Sequence, residues 1–308
     1  MSAGPSQRAA WVLANGRTVS LRSPAIMGIL NVTPDSFADG GLLTDVACAV
    51  DHAARLVSEG ATILDIGGES TRPGASRVGV AEQIARVVPV VRAIRAQQGP
   101  HARIAISVDT TLPDVARAAI DAGADAINDV SGGLESLHDD ASAMHTLAAR
   151  TGAGLVLMHR LCPPASDSFS DRYTKPPEYG DVVDVVRGEL GTLAARAERS
   201  GVRRDAMAID PGLGFGKSVA DNMALIRRTS EFMSLGFPLV SGISRKSFVG
   251  RVGLWRDSEP GERLAATVAL SLFHARRGAA VLRVHDVGAH AAALESGVEI
   301  KGVSPPGL

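Results

Sequence analysis

The sequence has few aromatic residues, few cysteines and no long apolar run. Aromatic side chains make up 4% of the 308 residues, which is little for an aromatic-rich binding surface. The two cysteines, Cys48 and Cys162, are too few for a disulfide framework or a four-cysteine zinc site. The sequence contains neither a stretch of about 20 apolar residues that could span a bilayer nor an N-terminal signal core. We therefore expect a cytoplasmic protein without membrane association.

An excess of positive charge is also missing. Lysine and arginine total 32 residues against 33 aspartates and glutamates, which gives a formal net charge of -1. Domains dominated by nucleic-acid binding usually carry a basic excess. The composition therefore disfavours a nucleic-acid partner, although a few Arg and Lys side chains can still converge on a local anion site.

Short apolar runs, by contrast, recur eight times, and each is followed by a polar or Gly-rich turn and an Ala-rich amphipathic stretch. The runs are Ala25–Val32, Ala61–Gly68, Arg103–Thr110, Ala126–Gly132, Gly154–His159, Met207–Leu213, Pro238–Ser244 and Val281–Val287. Most are apolar through the middle without strict alternation, which is typical of parallel strands buried on both faces. Alternating strands and helices indicate an α/β fold. Eight units in roughly 270 residues favour a closed (β/α)8 TIM barrel over a doubly wound sheet.

A short N-terminal β-hairpin is predicted before the first of these runs. The apolar segments Trp11–Ala14 and Thr18–Leu21 flank Asn15 and Gly16, and Asn-Gly between apolar runs is a strong hairpin signal. We expect this hairpin to close the bottom of the barrel. The predicted organisation is an N-terminal extension with the hairpin (1–24), one barrel domain (25–298) and a tail (299–308).

One connection is much longer than the others. The segment Arg160–Glu178 contains four prolines and follows the fifth run. In a barrel of parallel strands, it lies on the face where active sites form. Long loops in such places usually serve a function or move, so we expect this segment to lie beside the site.

Polar side chains stand at nearly every predicted strand end, and the strand ends of such a barrel meet at one mouth. The converging groups are carboxylates, amides, cations and one imidazole: Asp109, Asp129, Asp210, Asn31, Asn128, Arg72, Lys246, Arg283 and His285. A barrel that served stability alone has no reason to bury so many, because each needs a partner or costs free energy. Asp and Asn can bind a flat polar heterocycle, while Arg, Lys and His suit a multiply charged anion. The sequence therefore predicts a site for both.

Five segments at these strand ends resemble the signature segments of dihydropteroate synthases. They are Gly28–Phe37, Gly68–Gly74, Asp210–Lys217, Ser244–Phe248 and Arg283–Val287, and the resemblance extends from about Ala25 to Glu295. It implies a transferase that condenses 7,8-dihydropterin-6-ylmethyl diphosphate with 4-aminobenzoate. The products are 7,8-dihydropteroate and diphosphate, and Mg²⁺ assists. The resemblance also implies a homodimer, which we expect to form through the last helices.

The resemblance assigns a role to residues that match the family's motifs. The pterin would be held by Asp109, Asn128, Asp210 and Lys246, with Val130 and Met158 lining its slot. The diphosphate would be held by Asn31, Arg72, Arg283 and His285, with Asn31 as the residue nearest the metal. The aminobenzoate pocket would be shaped by Phe37, Thr71, Pro73, Phe215 and Ser247. The expected catalytic residues are Lys246, Asp210, Asp35 and Arg72, and the loops with Asp35 and Arg72 would close over the substrates.

The chain departs from the family pattern after the fifth strand. There His159 is followed by the Pro-rich segment rather than by a Met-Gln-Gly type turn. Among the other polar residues of the strand ends, Asp129 and Asp286 are interpreted as helix caps. Asp65 is interpreted as a structural residue or a partner of a site residue.

Two other functions fit the pattern less well. A methyltetrahydrofolate:corrinoid methyltransferase also binds a pterin through Asp and Asn. It has no need of a diphosphate clamp, so Arg72 and the segments Ser244-Arg245-Lys246 and Arg283-Val284-His285 argue against it. A non-enzymatic paralogue that binds a pterin or a protein commonly lacks a loop motif or a charged group, and none is missing here.

Overall fold

Eight parallel strands close into a barrel in the computed structural model, which describes residues 10–32, 42–138 and 141–302. The strands in chain order are β1 (Ala10–Val12), β2 (Thr18–Ser20), β3 (Ala25–Asn31), β4 (Ile63–Gly67), β5 (Ala105–Asp109), β6 (Ala126–Asp129), β7 (Leu137–His138), β8 (Ala141–Ser142), β9 (Gly154–Met158), β10 (Met207–Asp210), β11 (Leu239–Ser241) and β12 (Ala279–Val284). The barrel order is β10-β11-β12-β3-β4-β5-β6-β9. The predicted TIM barrel is confirmed, with a strand in each of the eight apolar runs.

Helices connect the barrel strands and cover their outer faces. They are α1 (Leu42–Ser58), α2 (Val80–Ala96), α3 (Pro100–Arg103), α4 (Pro113–Asp121), α5 (Ala143–Thr151), α6 (Val182–Arg199), α7 (Val219–Arg227), α8 (Ser247–Gly253), α9 (Leu264–Arg276) and α10 (Val287–Gly302). In α2 the buried residues Val87, Val90, Val91 and Ile94 recur at spacings of three and four, so one apolar stripe faces the barrel. The last helix continues past the predicted domain end at 298. Of the helices described, none is long and apolar enough to cross a membrane.

The predicted hairpin is present and fills the bottom of the barrel. Strands β1 and β2 pair antiparallel, and Asn15 and Gly16 between them have the positive φ angles of 57° and 71° that a tight turn requires. Trp11 is fully buried, and its indole Nε1 donates to the carbonyl of Ala206 at 2.8 Å. Leu13 lies over Gly154, where a Cβ atom would meet its side chain at 2.4 Å. A glycine at that strand start therefore leaves room for the hairpin.

The alternation of side chains along each strand separates two layers inside the barrel. Near the bottom, inward residues are apolar and pack with the hairpin: Ala25, Met27, Ile63, Ala105, Ala126, Val156, Ala208 and Val281. Outward residues such as Leu64 and Ile66 belong to the larger core under the helices. Successive residues face opposite sides of a strand, and many of the inward positions nearer the mouth are polar. They include Asp65, Asp109, Asn128, Asp210 and Arg283.

Candidate active site

An ion network crosses the mouth of the barrel between β4, β5, β6 and β12. Arg283 on β12 donates from Nε to Asp65 Oδ2 and from Nη2 to Asp109 Oδ2, both at 2.6 Å. Asn128 on β6 donates from Nδ2 to the same Asp65 oxygen at 2.9 Å. Arg283 is thus fixed by the carboxylates of Asp65 on β4 and Asp109 on β5, and the amide of Asn128 is fixed by Asp65. Asp65, which the sequence left as structural or as a partner, joins the two sides of the network.

One oxygen of each carboxylate in this network has no hydrogen-bond partner in the part of the chain that the structure describes. Among the residues that the structure describes, Asp65 Oδ1, Asp109 Oδ1 and Ser107 Oγ are buried without a hydrogen bond. A buried acceptor left unsatisfied costs about 1–3 kcal/mol. Burial raises the pKa of Asp109 to about 7, against the opposing effect of Arg283 and with a further rise from Asp65. This wall of the mouth is therefore suited to a ligand that offers N–H donors.

Asp210 and Lys246 lie on the opposite wall. Asp210 at the end of β10 accepts the Gly212 N–H at 2.7 Å, and burial raises its pKa against the opposing charge of Lys246. A Cβ atom on Gly242 would lie 3.5 Å from Lys246 Nζ and 3.6 Å from Asp210 Oδ2, so both charged groups lie next to this glycine at ordinary contact distance. Burial lowers the pKa of Lys246 to about 8, although Asp210 opposes the change. The ammonium is close to titrating near physiological pH.

An apolar slot separates the two walls. Val130, Met158 and Phe215 form one buried cluster, apart from the two main cores. The Lys246 Nζ atom lies 4.4 Å from the centre of the Phe215 ring and donates to the Leu213 carbonyl. The structure therefore brings together residues predicted for the pterin slot and one predicted for the aminobenzoate pocket.

His285 lies beside this network at the end of β12. Its Nδ1 atom and Ser244 Oγ are 2.9 Å apart. Burial lowers the pKa of His285 to about 3, and the positive charges of Arg245, Arg283 and Arg72 add to the effect. The imidazole is therefore neutral in this structure, and it can contact an anion by a hydrogen bond rather than as a cation. Arg72 itself is exposed, on the loop that follows β4.

Arg245, the middle residue of the Ser-Arg-Lys segment after β11, forms an ion pair with Asp286. Arg245 has a φ angle of 58° and donates from Nε to Asp286 Oδ2 at 2.9 Å. Asp286 immediately precedes α10, as expected for a helix cap, and its carboxylate also accepts from Arg245. Asp129 accepts the N–H groups of Ser131 and Gly133, both at 2.8 Å, and so closes a turn rather than capping a helix.

The remaining predicted residues are distributed around the same mouth. Asn31 ends β3, and its Oδ1 atom and Asp109 Cβ both lie 3.5 Å from the Cβ position of Gly67. Thr71 lines a cavity together with Asp109 and Val130. Pro73 is half-buried on the same loop as Thr71, and Ser247 is the first residue of α8. Asp35 and Phe37 lie outside the described residues.

Lys217 has a role that the sequence motif did not predict. It is fully buried, and its Nζ atom donates to the carbonyls of Gly212 at 3.0 Å and Phe215 at 2.8 Å. The same atom lies 2.9 Å from His159 Nδ1. Burial lowers the pKa of Lys217 to about 7. Lys217 thus stabilises the glycine-rich loop after β10, but no pattern in the motif indicates that its side chain turns inward.

Comparison with known proteins identifies relatives along nearly the whole chain. The family profile described as "Pterin binding enzyme" matches residues 27–285. The dihydropteroate synthase of Escherichia coli is 41% identical over 276 residues, which are 90% of this chain and 91% of that protein. A probable bifunctional folylpolyglutamate synthase/dihydropteroate synthase of Haloferax volcanii is 47% identical over 88% of this chain. The match spans only 30% of that longer protein.

Solved structures give the same result. The Xanthomonas albilineans dihydropteroate synthase with 4-aminobenzoic acid superimposes with a TM-score of 0.82 at 41% identity, covering 98% of this chain and 100% of that one. The structure of the dihydropteroate synthase from the same organism in complex with 7,8-dihydropteroate gives a TM-score of 0.79 at 39% identity, covering 95% and 100%.

Proposed function

The chain belongs to the dihydropteroate synthases of the pterin-binding enzyme family, and from this membership we propose the substrates and the residues that serve the reaction. The protein is a transferase of this type. Its barrel mouth takes 7,8-dihydropterin-6-ylmethyl diphosphate and 4-aminobenzoate. The C–O bond to the diphosphate breaks, a C–N bond to the aromatic amine forms, and the amine loses a proton.

The observation that carries the pterin assignment is the pair of buried carboxylates with unpaired oxygens. Asp109 and Asp65 each keep one oxygen without a partner among the described residues. A pterin ring carries N–H donors along one edge and carbonyl and ring-nitrogen acceptors beside them. Asp109 accepts the donors and Asn128 contacts the same edge, while Asp210 and Lys246 contact the opposite side. The ring itself lies against Val130 and Met158.

The diphosphate is held by Asn31, Arg72, Arg283 and His285. Arg283 is bound by two carboxylates, which keep its guanidinium ionised and oriented. His285 contributes a hydrogen bond, and Arg72 approaches from its loop. Positive groups placed where charge develops on the leaving diphosphate lower the barrier to its departure. These are the groups that a pterin-binding barrel without diphosphate chemistry has no need for.

Departure of diphosphate before attack of the amine leaves positive charge on the pterin methylene. Asp109 and Asp210 stabilise that charge from opposite sides of a largely buried site. Lys246 and Asp210 thus contact the pterin while the reaction takes place. Closure of the loops with Asp35 and Arg72 excludes water, which would otherwise compete with the amine for the cationic methylene. The amine of 4-aminobenzoate attacks from the pocket shaped by Phe37, Thr71, Pro73, Phe215 and Ser247.

Mg²⁺ fits this site as an ion held mainly by the substrate. No group of three or more His, Cys, Asp or Glu residues in the described ranges could bind a metal ion. Asn31 offers a half-buried amide oxygen at the anion side of the mouth. Mg²⁺ usually keeps several waters and takes one or two protein oxygens together with phosphate oxygens. Asn31 would thus be its protein ligand, and the ion would supply charge neutralisation on the diphosphate when bound.

We include a homodimer and a cytoplasmic location in this proposal. Trp255, on the loop after α8, is 86% exposed, while Leu264 and Phe273 on α9 are 38% exposed. Each of these exposed apolar side chains is a candidate for burial against a second copy of the chain. Light scattering is expected to give twice the chain mass, and Phe273→Glu is expected to lower it toward one chain. A single-chain mass for the unaltered protein at working concentration contradicts the dimer.

The reaction is tested with purified protein, the pterin diphosphate, 4-aminobenzoate and Mg²⁺. Formation of 7,8-dihydropteroate, identified by its mass, is the expected result. Methyl transfer from methyltetrahydrofolate to a corrinoid, without dihydropteroate formation, supports the rival methyltransferase. Pterin binding without turnover of either kind supports the binding paralogue.

A further inference from the structure

The Pro-rich segment Arg160–Glu178 contacts loops on both sides of the mouth. None of the roles proposed above uses a residue of this segment. It begins two residues after Met158 of the pterin slot, and it replaces the turn that the family pattern has there. The contacts of the segment therefore indicate how this departure from the family pattern affects the loops around the site.

On one side the segment binds the loop after β4, which carries Thr71, Arg72 and Pro73. The Gly74 N–H donates to the carbonyl of Pro164 at 2.9 Å. Glu135 forms a second link, because one of its oxygens accepts from Arg160 and the other accepts from Arg77 of that loop. Thr111 donates to the latter oxygen at 2.6 Å.

The segment also forms part of a cavity wall. Pro163, Pro164 and Ala165 line the cavity that Thr71, Asp109 and Val130 also line. Residues of the segment thus share a wall with residues proposed for the pterin and for 4-aminobenzoate. The segment is close enough to the site to set its shape.

On the other side the segment holds the glycine-rich loop after β10. Asp167 Oδ2 accepts the Gly216 N–H at 2.8 Å, and the other oxygen of Asp167 accepts from the Tyr173 hydroxyl. Tyr179, which follows the segment directly, donates from its hydroxyl to the Gly216 carbonyl at 2.7 Å. A Cβ atom on Gly216 would meet Leu161 Cβ at 2.3 Å, so the two chains are in close contact.

Phe215 is the residue that this second contact positions. The peptide group between Phe215 and Gly216 is held at both ends, because its carbonyl accepts from Lys217 at 2.8 Å and its N–H donates to Asp167 at 2.8 Å. The ring packs with Val130 and Met158. A shift of Gly216 therefore moves the ring that shapes the aminobenzoate pocket, while Asp109 and Asn128 stay on their strands.

We infer that the Pro-rich segment is a bridge that sets the width of the aminobenzoate pocket, and that Asp167 is a positioning residue for Phe215. The inference rests on the proposed function, because it names a determinant of that same site. The prolines suit this role, since each fixes its own φ angle and limits the conformations of the segment. The bridge joins the loop with Thr71 and Pro73 to the loop with Phe215.

The test compares Asp167→Ala with Ser168→Ala in steady-state kinetics. Ser168 is the exposed neighbour of Asp167, and its side chain has no part in the bridge. A well-placed aromatic contact is worth a factor of roughly 3 to 10 in binding. Asp167→Ala is expected to raise KM for 4-aminobenzoate by about that factor, with kcat and KM for the pterin diphosphate unchanged within about twofold. Ser168→Ala is expected to match the unaltered protein.

Asp167→Asn keeps one acceptor oxygen for Gly216 and is expected to give an intermediate KM. This variant carries the test if Asp167→Ala does not fold. An unchanged KM for 4-aminobenzoate, or equal rises in both KM values, overturns the positioning role while leaving the proposed reaction intact. An unaltered protein that forms no dihydropteroate overturns the proposed reaction, and the inference with it.

Discussion

Asp109→Asn changes one buried carboxylate of the mouth with almost no change in size. Asp109 binds Arg283 through Oδ2 at 2.6 Å, and its Oδ1 atom has no partner in the described part of the chain. Hydrogen bonds to charged groups contribute about 1.5–3 kcal/mol, against about 1 kcal/mol for neutral ones. Loss of the charge is thus expected to weaken pterin binding by about 0.5–2 kcal/mol, which is roughly 2- to 30-fold.

The stability of the free protein is expected to change in the opposite direction near neutral pH. Burial raises the pKa of Asp109 to about 7 from an ordinary value of 3.8. Its contribution to stability is therefore fully present below pH 3.8 and is lost as the pH rises through about 7. The amide variant carries no charge at any pH. It is expected to lose this dependence and to unfold no more easily than the unaltered protein at pH 8.

Calorimetric titration with a pterin that lacks the diphosphate measures the binding change, and thermal unfolding from pH 5 to pH 8 measures the stability change. Asp65→Asn is the comparison variant, because it also removes a carboxylate from Arg283 but lies deeper in the barrel. A larger loss of pterin affinity in Asp109→Asn than in Asp65→Asn is expected if Asp109 is the main acceptor for the pterin. A pterin affinity that stays unchanged in Asp109→Asn, together with lower stability, refutes the assignment and leaves Asp109 as a structural ion-pair partner.

Three further predictions concern the anion side, the lysine and the hairpin. Arg283→Ala is expected to weaken binding of the pterin diphosphate far more than binding of the free pterin, and equal losses in calorimetry contradict its role. Because burial lowers the pKa of Lys246 to about 8, kcat/KM is expected to fall as the pH rises through about 8. Lys246→Arg is expected to move this fall in kcat/KM to higher pH. If the fall stays at the same pH, the titrating group is not Lys246. Trp11→Ala is expected to lower the free energy of unfolding by about 3–5 kcal/mol in urea. A loss below about 1 kcal/mol there contradicts the packing role of the hairpin.

The barrel could be predicted from the sequence because its pattern repeats. Each strand can be recognised from the residues of its own apolar run, and eight such runs alternating with amphipathic stretches are compatible with few folds other than a barrel. The hairpin could be predicted for the same reason, since Asn15 and Gly16 identify the turn directly. Strand ends then place Asp109, Asn128, Asp210, Lys246 and Arg283 at one mouth without any knowledge of their contacts.

The contacts within the mouth could not be predicted in the same way. Which carboxylate binds Arg283 depends on strands far apart in the chain, and Asp65 is adjacent to Arg283 only after the barrel closes. Arg245 has a positive φ angle and binds Asp286, and an arginine at this position in the sequence indicates neither feature. The bridge formed by the Pro-rich segment depends on backbone atoms of Gly74 and Gly216. Because every residue has these backbone atoms, the sequence does not indicate which of them the segment contacts.

We propose above all that the protein transfers a pterin from diphosphate to an aromatic amine at the mouth of its barrel. The most direct test measures diphosphate release and dihydropteroate formation in the same sample, with and without 4-aminobenzoate. We expect equal amounts of both products when the amine is present. Release of diphosphate with no dihydropteroate, or pterin binding with neither product, contradicts the claim.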